Sequence, residues 1–470
     1  MASKEEGSTD PNNSREVHPL YSDRIEQWTK SRDCFEGEDR IKAAGTTYLP
    51  YTSGHREDGA EASATSDGAK NYEAYKVRAV FPGLSERAIE AAIGVMHHKP
   101  PVIELPGALE AFLEGVTSAG ESLAMLLRKI NTEQLTPGRI GLYLDIPEDP
   151  VSETVLPTVC VYSAESILNW DTLDGAQPTF LVLDETSYAR DGAVWEIQES
   201  TRILESAAGQ SGYTVRTKTR DVEAVLDTPA IRGKTLDEIP FVIINSSDIL
   251  CSPDKPPLLA LNNLELAVYR GEADYRQALF MQSQDTLVVI GGSSQESYRV
   301  GAEASLKVPI NGDAKFIGVD SKGLEEQRQA LENDKKEAAY FGGRLLDTTS
   351  RQKEAGDTLR VRVKATTSTL NKIAVTGAAG LELLLKKAAI WVGADPGAVK
   401  VSPNLDFADD LMPGTELFSY TQAKALGAPI SEESLHKLMQ DRGLTEKTYE
   451  EELTAIEGED FMGGLDSSDI

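Results

Sequence analysis

Apolar and polar positions alternate with helical spacing over Leu20–Arg32 and predict a first helix there. Residues 53–71, SGHREDGAEASATSDGAKN, carry no such period. Their Ser, Gly, Ala and Asp content reads as a flexible loop. From Tyr72 to Ile130 the helical pattern returns. A first helix ends in His97-His98-Lys99-Pro100-Pro101, where basic side chains suit a C-terminus and proline forbids continuation. A second is predicted from Leu109 to Ile130 on Leu109, Phe112, Val116, Leu123, Leu126, Leu127 and Ile130, interrupted by Gly115 and Gly120.

The period shortens over residues 139–250. Short β-rich runs separated by Gly, Asp and Pro predict strands at Ile140–Ile146, Thr158–Tyr162, Thr179–Asp184, Val194–Ile197, Tyr213–Thr217 and Phe241–Ile244, in a mainly antiparallel sheet. Residues 254–283 then form a long amphipathic helix with Leu261, Val268 and Tyr275 seven apart, and Leu264 and Gly271 between them. Thr286–Ile290 reads as a strand, followed by β segments at Leu306–Pro309 and Lys315–Val319. A charged helix is predicted over 323–341 and a loop over 346–357.

The strongest pattern lies in 358–392. Leu370, Ala374, Gly377, Leu381, Leu384, Ala388 and Trp391 step by 4, 3, 4, 3, 4, 3 and define one packed face; Gly377 and Gly380 permit a bend or a close approach. A strand at Val399–Val401 and helices near Gly414–Leu426, Ser431–Asp441 and Thr445–Ile456 complete the chain. The fold class is therefore α+β.

Charge changes the functional picture. The 470 residues hold 76 acidic and 47 basic side chains, a net −29, and residues 401–470 alone hold 16 acids and 4 bases. Such a chain repels DNA on average, so a groove-reading or wrapping DNA protein is not expected. No run of about 18 apolar residues suggests a membrane span, and the polar Met1–Gly7 segment lacks a signal-peptide core. Residues 1–15 read as a disordered arm. Cys34, Cys160 and Cys251 are far apart and form no CxxC, so reduced thiols are expected.

Catalytic signatures are sparse. The chain has no GxxxxGK[ST], no GxSxG and no HExxH, and no GxGxxG opens a helix. Asp58, Asp67 and Gly68 lack the alternating ligands and terminal Glu of a calcium loop. Asp145 with Asp149, or Asp406 with Asp409 and Asp410, are the carboxylates able to act as acid/base pairs or hold Mg²⁺; solvated surface charge is the ordinary reading of both. His97 and His98 read as helix-end charges, and His436 has no evident partner. No cofactor or metal is expected.

The order of elements carries more. A mixed α/β region leads into a long helix, a small β segment, a second helix, a short polar loop and a longer helix. With the stretches KVRAVFPGLSERAIEAAIGVMHHKPPVIELP (76–106), IPFVIINSSD (239–248), PPLLALNNLELAVYRGEADYRQALFMQSQDTLVVIGG (256–292), GLEEQRQALENDKKEAAYFGGRLL (323–346) and KEAGDTLRVRV (353–363), this resembles the portal, or head–tail connector, proteins of tailed bacteriophages. The resemblance covers most of the chain. It implies a non-enzymatic ring, usually of twelve subunits, at one capsid vertex of the virion, assembled in the host cytoplasm. Residues 16–250 would be the wing, 254–284 and 321–345 the stem helices, 285–320 the clip, 346–356 the tunnel loop, 357–393 the long wing helix, 394–460 the crown and 461–470 an acidic tail. The implied partners are copies of itself, the major capsid protein, the terminase large subunit, a head–tail adaptor and double-stranded DNA without sequence specificity.

Within that reading, the loop residues Thr348, Thr349, Ser350, Arg351, Gln352 and Lys353 suit weak phosphate contact: two cations, several hydroxyls and no aromatic for base stacking. Arg360, Arg362 and Lys364 either anchor contacts between subunits or are simply solvated. Lys335 and Lys336 either present a ring of charge to phosphates in the stem lumen or pair with Glu325, Glu326, Glu332 and Glu337 on the helix surface. A soluble cytoplasmic hydrolase or carboxylate-metal enzyme is the alternative class. A scaffold or adaptor is the third, disfavoured by the strands of 139–250.

Overall fold

Strands β2 (Arg139–Asp145), β3 (Thr158–Ser163) and β13 (Phe241–Asn245) show most directly how sequence period becomes architecture. They form an antiparallel sheet in the order β13-β2-β3. Successive side chains of a strand point to opposite faces. Ile140, Leu142, Leu144, Val242 and Ile244 bury against helices on one face. Tyr143, Phe241 and Ile243 bury against a second sheet on the other. Being covered on both sides explains why IPFVIIN is a continuous apolar run rather than an alternating one.

The computed structural model describes residues 15–146, 156–206, 212–219, 222–227, 229–231, 233–282, 286–290, 312–317, 323–343, 356–405, 407, 431–441, 445 and 447–454. The chain divides into two units, 1–405 and 406–470. Helix and sheet are mixed in the α+β manner expected.

The helices on the first face are α6 (Leu123–Leu135) and α9 (Gly356–Val392). In the stripe read from the sequence, Leu370, Ala374, Leu381, Leu384, Ala388 and Trp391 are all buried. Gly377 and Gly380 serve close approach. A Cβ on Gly380 would stand 2.4 Å from Ile244 Cγ1, and one on Gly377 would stand 2.6 Å from Asn131 Nδ2 and Gln134 Oε1.

The second sheet is five-stranded and antiparallel, in the order β10-β9-β8-β5-β4. Its strands are β4 (Ile167–Thr172), β5 (Pro178–Asp184), β8 (Ser200–Glu205), β9 (Thr214–Thr219) and β10 (Val222–Asp227), after which the short strands β11 (Ala230–Ile231) and β12 (Lys234–Thr235) pair with each other. Between β5 and β8 the chain continues as a further antiparallel pair, β6 (Ser187–Asp191) and β7 (Val194–Gln198), which forms a two-stranded sheet of its own. Against the inner layer, Arg139 is fully buried with its guanidinium over Trp170, 4.3 Å from the ring centroid. His18 stacks on the same indole at 4.1 Å. Burial draws the Arg139 pKa down to about 10.

A third core joins α1 (Pro19–Glu36), α2 (Glu38–Ala43), α4 (Asp67–Arg78) and α7 (Leu259–Gln282) through Cys34, Ile41, Tyr48, Tyr72, Tyr75, Leu266 and Tyr269. Here two expectations are corrected. Residues 53–71 are not a plain loop. Thr52 and His55 cap each other around α3 (Ser53–Glu57), and Gly68 N donates to Asp58 O. A Cβ on Gly68 would fall 2.3 Å from His55 O, so glycine lets the segment fold back on itself. Nor is the helical pattern from Tyr72 to His98 one helix. It breaks at Phe81-Pro82-Gly83, where Gly83 takes a left-handed φ of 60°, and restarts as α5 (Leu84–Met96).

The helix predicted over Leu109–Ile130 is likewise two elements, a 3₁₀ segment Gly107–Leu113 and α6, with Gly115 and Gly120 between them. Leu109, Phe112 and Val116 are nonetheless buried as their spacing implied. Strand β16 (Lys400–Ser402) pairs with β1 (Val102–Glu104) and so belongs to the first unit. In the second unit, α10 (Glu432–Asp441) carries His436, whose Nε2–H donates to Lys447 O at 3.0 Å. The expected helix Gly414–Leu426 and β segment Leu306–Pro309 lie outside the described residues.

Candidate functional site

The paired helices α7 and α8 (Leu324–Gly343) hold most of the charge pattern singled out in the sequence. Pro256 and Pro257 precede α7 and set its start. Between the two helices runs an antiparallel ladder, β14 (Thr286–Ile290) with β15 (Asp313–Ile317), in the register Thr286↔Ile317 to Ile290↔Asp313. The expected Lys315–Val319 strand is thus placed two residues earlier. The helices run antiparallel: Leu261 clusters with Ala338 near one end, and Gly271 meets Leu331 further along. A Cβ on Gly271 would stand 2.7 Å from Leu331 Cδ2, so this glycine sets how closely the helices approach.

Two carboxylates of α7 organise the surroundings. Glu265, fully buried, accepts from Leu84 N, from Ser85 N at 3.1 Å and from Ser85 Oγ at 2.6 Å. Gly83 offers α5 no side-chain cap, so Glu265 supplies it from another helix, placing negative charge at the positive helix end. Burial pushes its carboxyl above the usual glutamate value despite these donors. Glu272 is also buried, and pairs with Arg276 at 2.7 Å and with Lys335 of α8. Burial pushes this carboxyl up, but the two cations outweigh it and hold it below the usual value.

The expected lysine ring therefore has an unequal pair. Both are exposed, but Lys335 is engaged across the helix interface with Glu272. The glutamates did not choose the lysines: Glu325 and Glu332 both pair with Arg328, Glu332 at 2.6 Å. In all, α8 carries five acids and three bases. Thr348, Thr349, Ser350, Arg351, Gln352 and Lys353 lie outside the described residues. Arg360, Arg362 and Lys364 fall in the first turns of α9.

The residues considered for catalysis are occupied otherwise. Asp145 pairs with Arg202. His97 Nε2–H donates to Asn131 Oδ1 at 2.9 Å, and burial lowers its pKa. His98 Nδ1 lies 2.9 Å from Val95 O. Asp149, Asp406, Asp409 and Asp410 lie outside the described residues. All three cysteines are free, and burial raises each thiol, Cys160 and Cys251 to about 11, which keeps them unreactive. Among the described residues no helix is long and apolar enough to cross a membrane, and no group of three potential ligands could hold a metal.

Sequence reasoning missed Glu265, Glu272 and β6, although it placed β7 at Val194–Ile197. Each carboxylate sits in an amphipathic helix among many other acids, and only three-dimensional packing distinguishes it. The β6–β7 pair did leave a signal: Asp191-Gly192 is a turn dipeptide between two β-rich runs.

Residues 257–392, the block from α7 to α9, match a family model described as "Domain of unknown function (DUF4055)". No curated protein matches the sequence. Among solved structures, a chain from the neck of a native GTA particle, computed with C12 symmetry, is 15% identical, with 76% of this chain and 90% of that chain covered and a TM-score of 0.40. A chain from the neck of an empty GTA particle, computed with C6 symmetry, is 14% identical, with 77% and 91% covered and a TM-score of 0.38. Overlap at these scores is coarse.

Proposed function

We propose that the chain is a portal-type head–tail connector: a ring of copies at one capsid vertex through which double-stranded DNA passes during packaging and ejection. The observation that carries this reading is the antiparallel pair α7–α8, joined through the β14–β15 ladder and followed by a 37-residue helix anchored in the main core. In this reading α7 and α8 are the stem, β14–β15 belongs to the clip that meets terminase or a tail adaptor, and residues 346–356 are the tunnel loop.

The physical logic is one of weak contact. Repetition about an axis turns each exposed side chain into a ring of like charges. A wall such as α8, with acids in excess over bases, holds DNA loosely, and a cation such as Lys336 tempers the repulsion. Tight binding would act as a brake. No step in this role requires catalysis, and the terminase would supply the energy.

The test is the native mass of the purified full-length protein, with imaging of the main peak. Rings with a central hole, at about twelve times the 51.0 kDa chain, are expected. A compact dimer or tetramer without a channel would overturn the reading and return attention to the carboxylates.

A further inference from the structure

Lys387 is the most buried cation among the described ion pairs. Its side chain is 5% exposed, whereas that of its partner Glu238 is 48% exposed. It stands on α9 between Leu385 and Ala388, both buried in the main core. Burying an ammonium is costly unless it is paired and hydrogen-bonded. Lys387 Nζ has two partners: it donates to Glu238 and, at 2.9 Å, to Gln177 Oε1, 210 residues away in the chain.

The amide is held for this contact. Asp174 Oδ1 accepts from Ala176 N at 3.1 Å and from Gln177 N at 2.9 Å, which fixes the turn between β4 and β5. Gln177 Nε2 donates to Ile239 O at 2.9 Å, just ahead of β13. A flipped amide would set oxygen against that carbonyl and nitrogen against the ammonium, so the carbonyl end faces the lysine. The C=O bond is short, so Gln177 Cδ lies no more than about 4.1 Å from Lys387 Nζ. An amine, an amide carbonyl and a carboxylate able to carry protons thus meet at one point, held by α9, the β4–β5 turn and the segment before β13.

We propose that Lys387 and Gln177 form an isopeptide bond within the subunit, with Glu238 as the proton carrier. The Glu238 carboxylate takes a proton from Lys387 Nζ, and the neutral amine attacks Gln177 Cδ. A C–N bond forms, and the carbonyl electron pair moves to Oε1. Glu238 passes its proton to Nε2 and takes a second one from the attacking nitrogen. As the carbonyl re-forms, the Cδ–Nε2 bond breaks and ammonia leaves. No oxidant, reductant or further reactant is consumed. The fixed geometry replaces the encounter of two free groups. The exposed side of Glu238 opens the way to solvent, and dilution of ammonia there makes the exchange one-way. The bond ties α9 covalently to the second sheet, and it stands independently of the ring reading.

The experiment is the intact mass of the denatured full-length protein, with a tryptic peptide map. The wild type is expected to be lighter than its sequence by one ammonia and to give a branched peptide that joins Lys387 to Gln177. K387R and Q177A should each keep the full mass of their sequences. E238Q keeps the size of the side chain but cannot carry the proton, and should leave most chains unlinked. The wild-type mass decides the matter even where a variant fails to fold. A wild type of full mass, with the two peptides separate, overturns the bond. Loss of ammonia without the branched peptide places the chemistry at another residue and overturns it too. So does a link between two copies, seen as a dimer in denaturing electrophoresis.

Discussion

Glu265 and Glu272 stand two turns apart on α7, and burial raises the carboxyl of each before any neighbour acts. Their neighbours then separate them. Glu265 meets only uncharged donors at hydrogen-bonding distance and ends above its ordinary 4.5; Glu272 meets two cations and ends below it. Their contributions to stability therefore run in opposite directions with pH. For Glu265 the folded state holds its proton more tightly than the unfolded state, so stability falls as pH rises from 4.5 through the raised folded value. For Glu272 the unfolded state holds the proton more tightly, so stability is full above 4.5 and is lost as pH falls through the lowered folded value. In thermal melts between pH 3 and 8 (about the usable range), E265Q should gain on the wild type as pH rises, and E272Q should lose ground as pH rises out of the acidic limb. Parallel curves for the two variants would contradict this account.

At the scale of elements, α9 depends on absent side chains as much as on present ones. G380A would drive a methyl into Ile244, and overpacking of this kind costs about 1–3 kcal/mol. I244A removes the obstructing atoms but opens a cavity, so G380A/I244A should lose measurably less stability than the sum of the single variants. Additive losses in chemical denaturation would mean that helix and sheet can move apart freely. The stripe from Leu370 to Trp391 was legible because a long helix repeats its demand every three or four residues. Glycine was legible only as an ambiguity, bend or approach, because its role is defined by the neighbour. The same limit explains residues 53–71: a polar segment folded over Tyr72 and Tyr75 has no period of its own. In the β-region six strands were placed within about two residues of their bounds, while β4, β6, β8, β10, β11 and β12 were missed: β6 and β10 are largely exposed, β11 and β12 are two residues long, and β4 and β8 mix polar residues into their apolar runs. Of the candidate site, the helix pair and its β connection were readable from periodicity. The engagement of Lys335 by Glu272 was not, because it joins residues 63 apart.

For the whole molecule, charge opposes assembly. Each copy brings a net −29, so neighbouring copies repel through solvent. At about 0.1 M salt that repulsion is screened beyond roughly 10 Å. Apolar contacts between copies are not weakened by salt. Assembled protein should therefore increase as sodium chloride is raised from low ionic strength, as measured by light scattering or native mass at fixed concentration. Dissociation with added salt would indicate that ion pairs, not apolar surfaces, hold the copies together.

The helix pair has one more consequence. Leu261 and Ala338 are held by Ala88 of α5, and further along α7 the Tyr75 hydroxyl donates to Asp274 while Arg78 donates to Gln277 and lies over Phe280. The stem helix is thus braced by α5 at its start and by α4 almost to its end, and the β14–β15 ladder follows the last of these ties. A sideways push on that ladder is taken up first at the Arg78 contacts, not at the start of the helix. Whatever seats on the distal ladder is mechanically connected to the aromatic core of α1, α2 and α4 through two side chains, Tyr75 and Arg78.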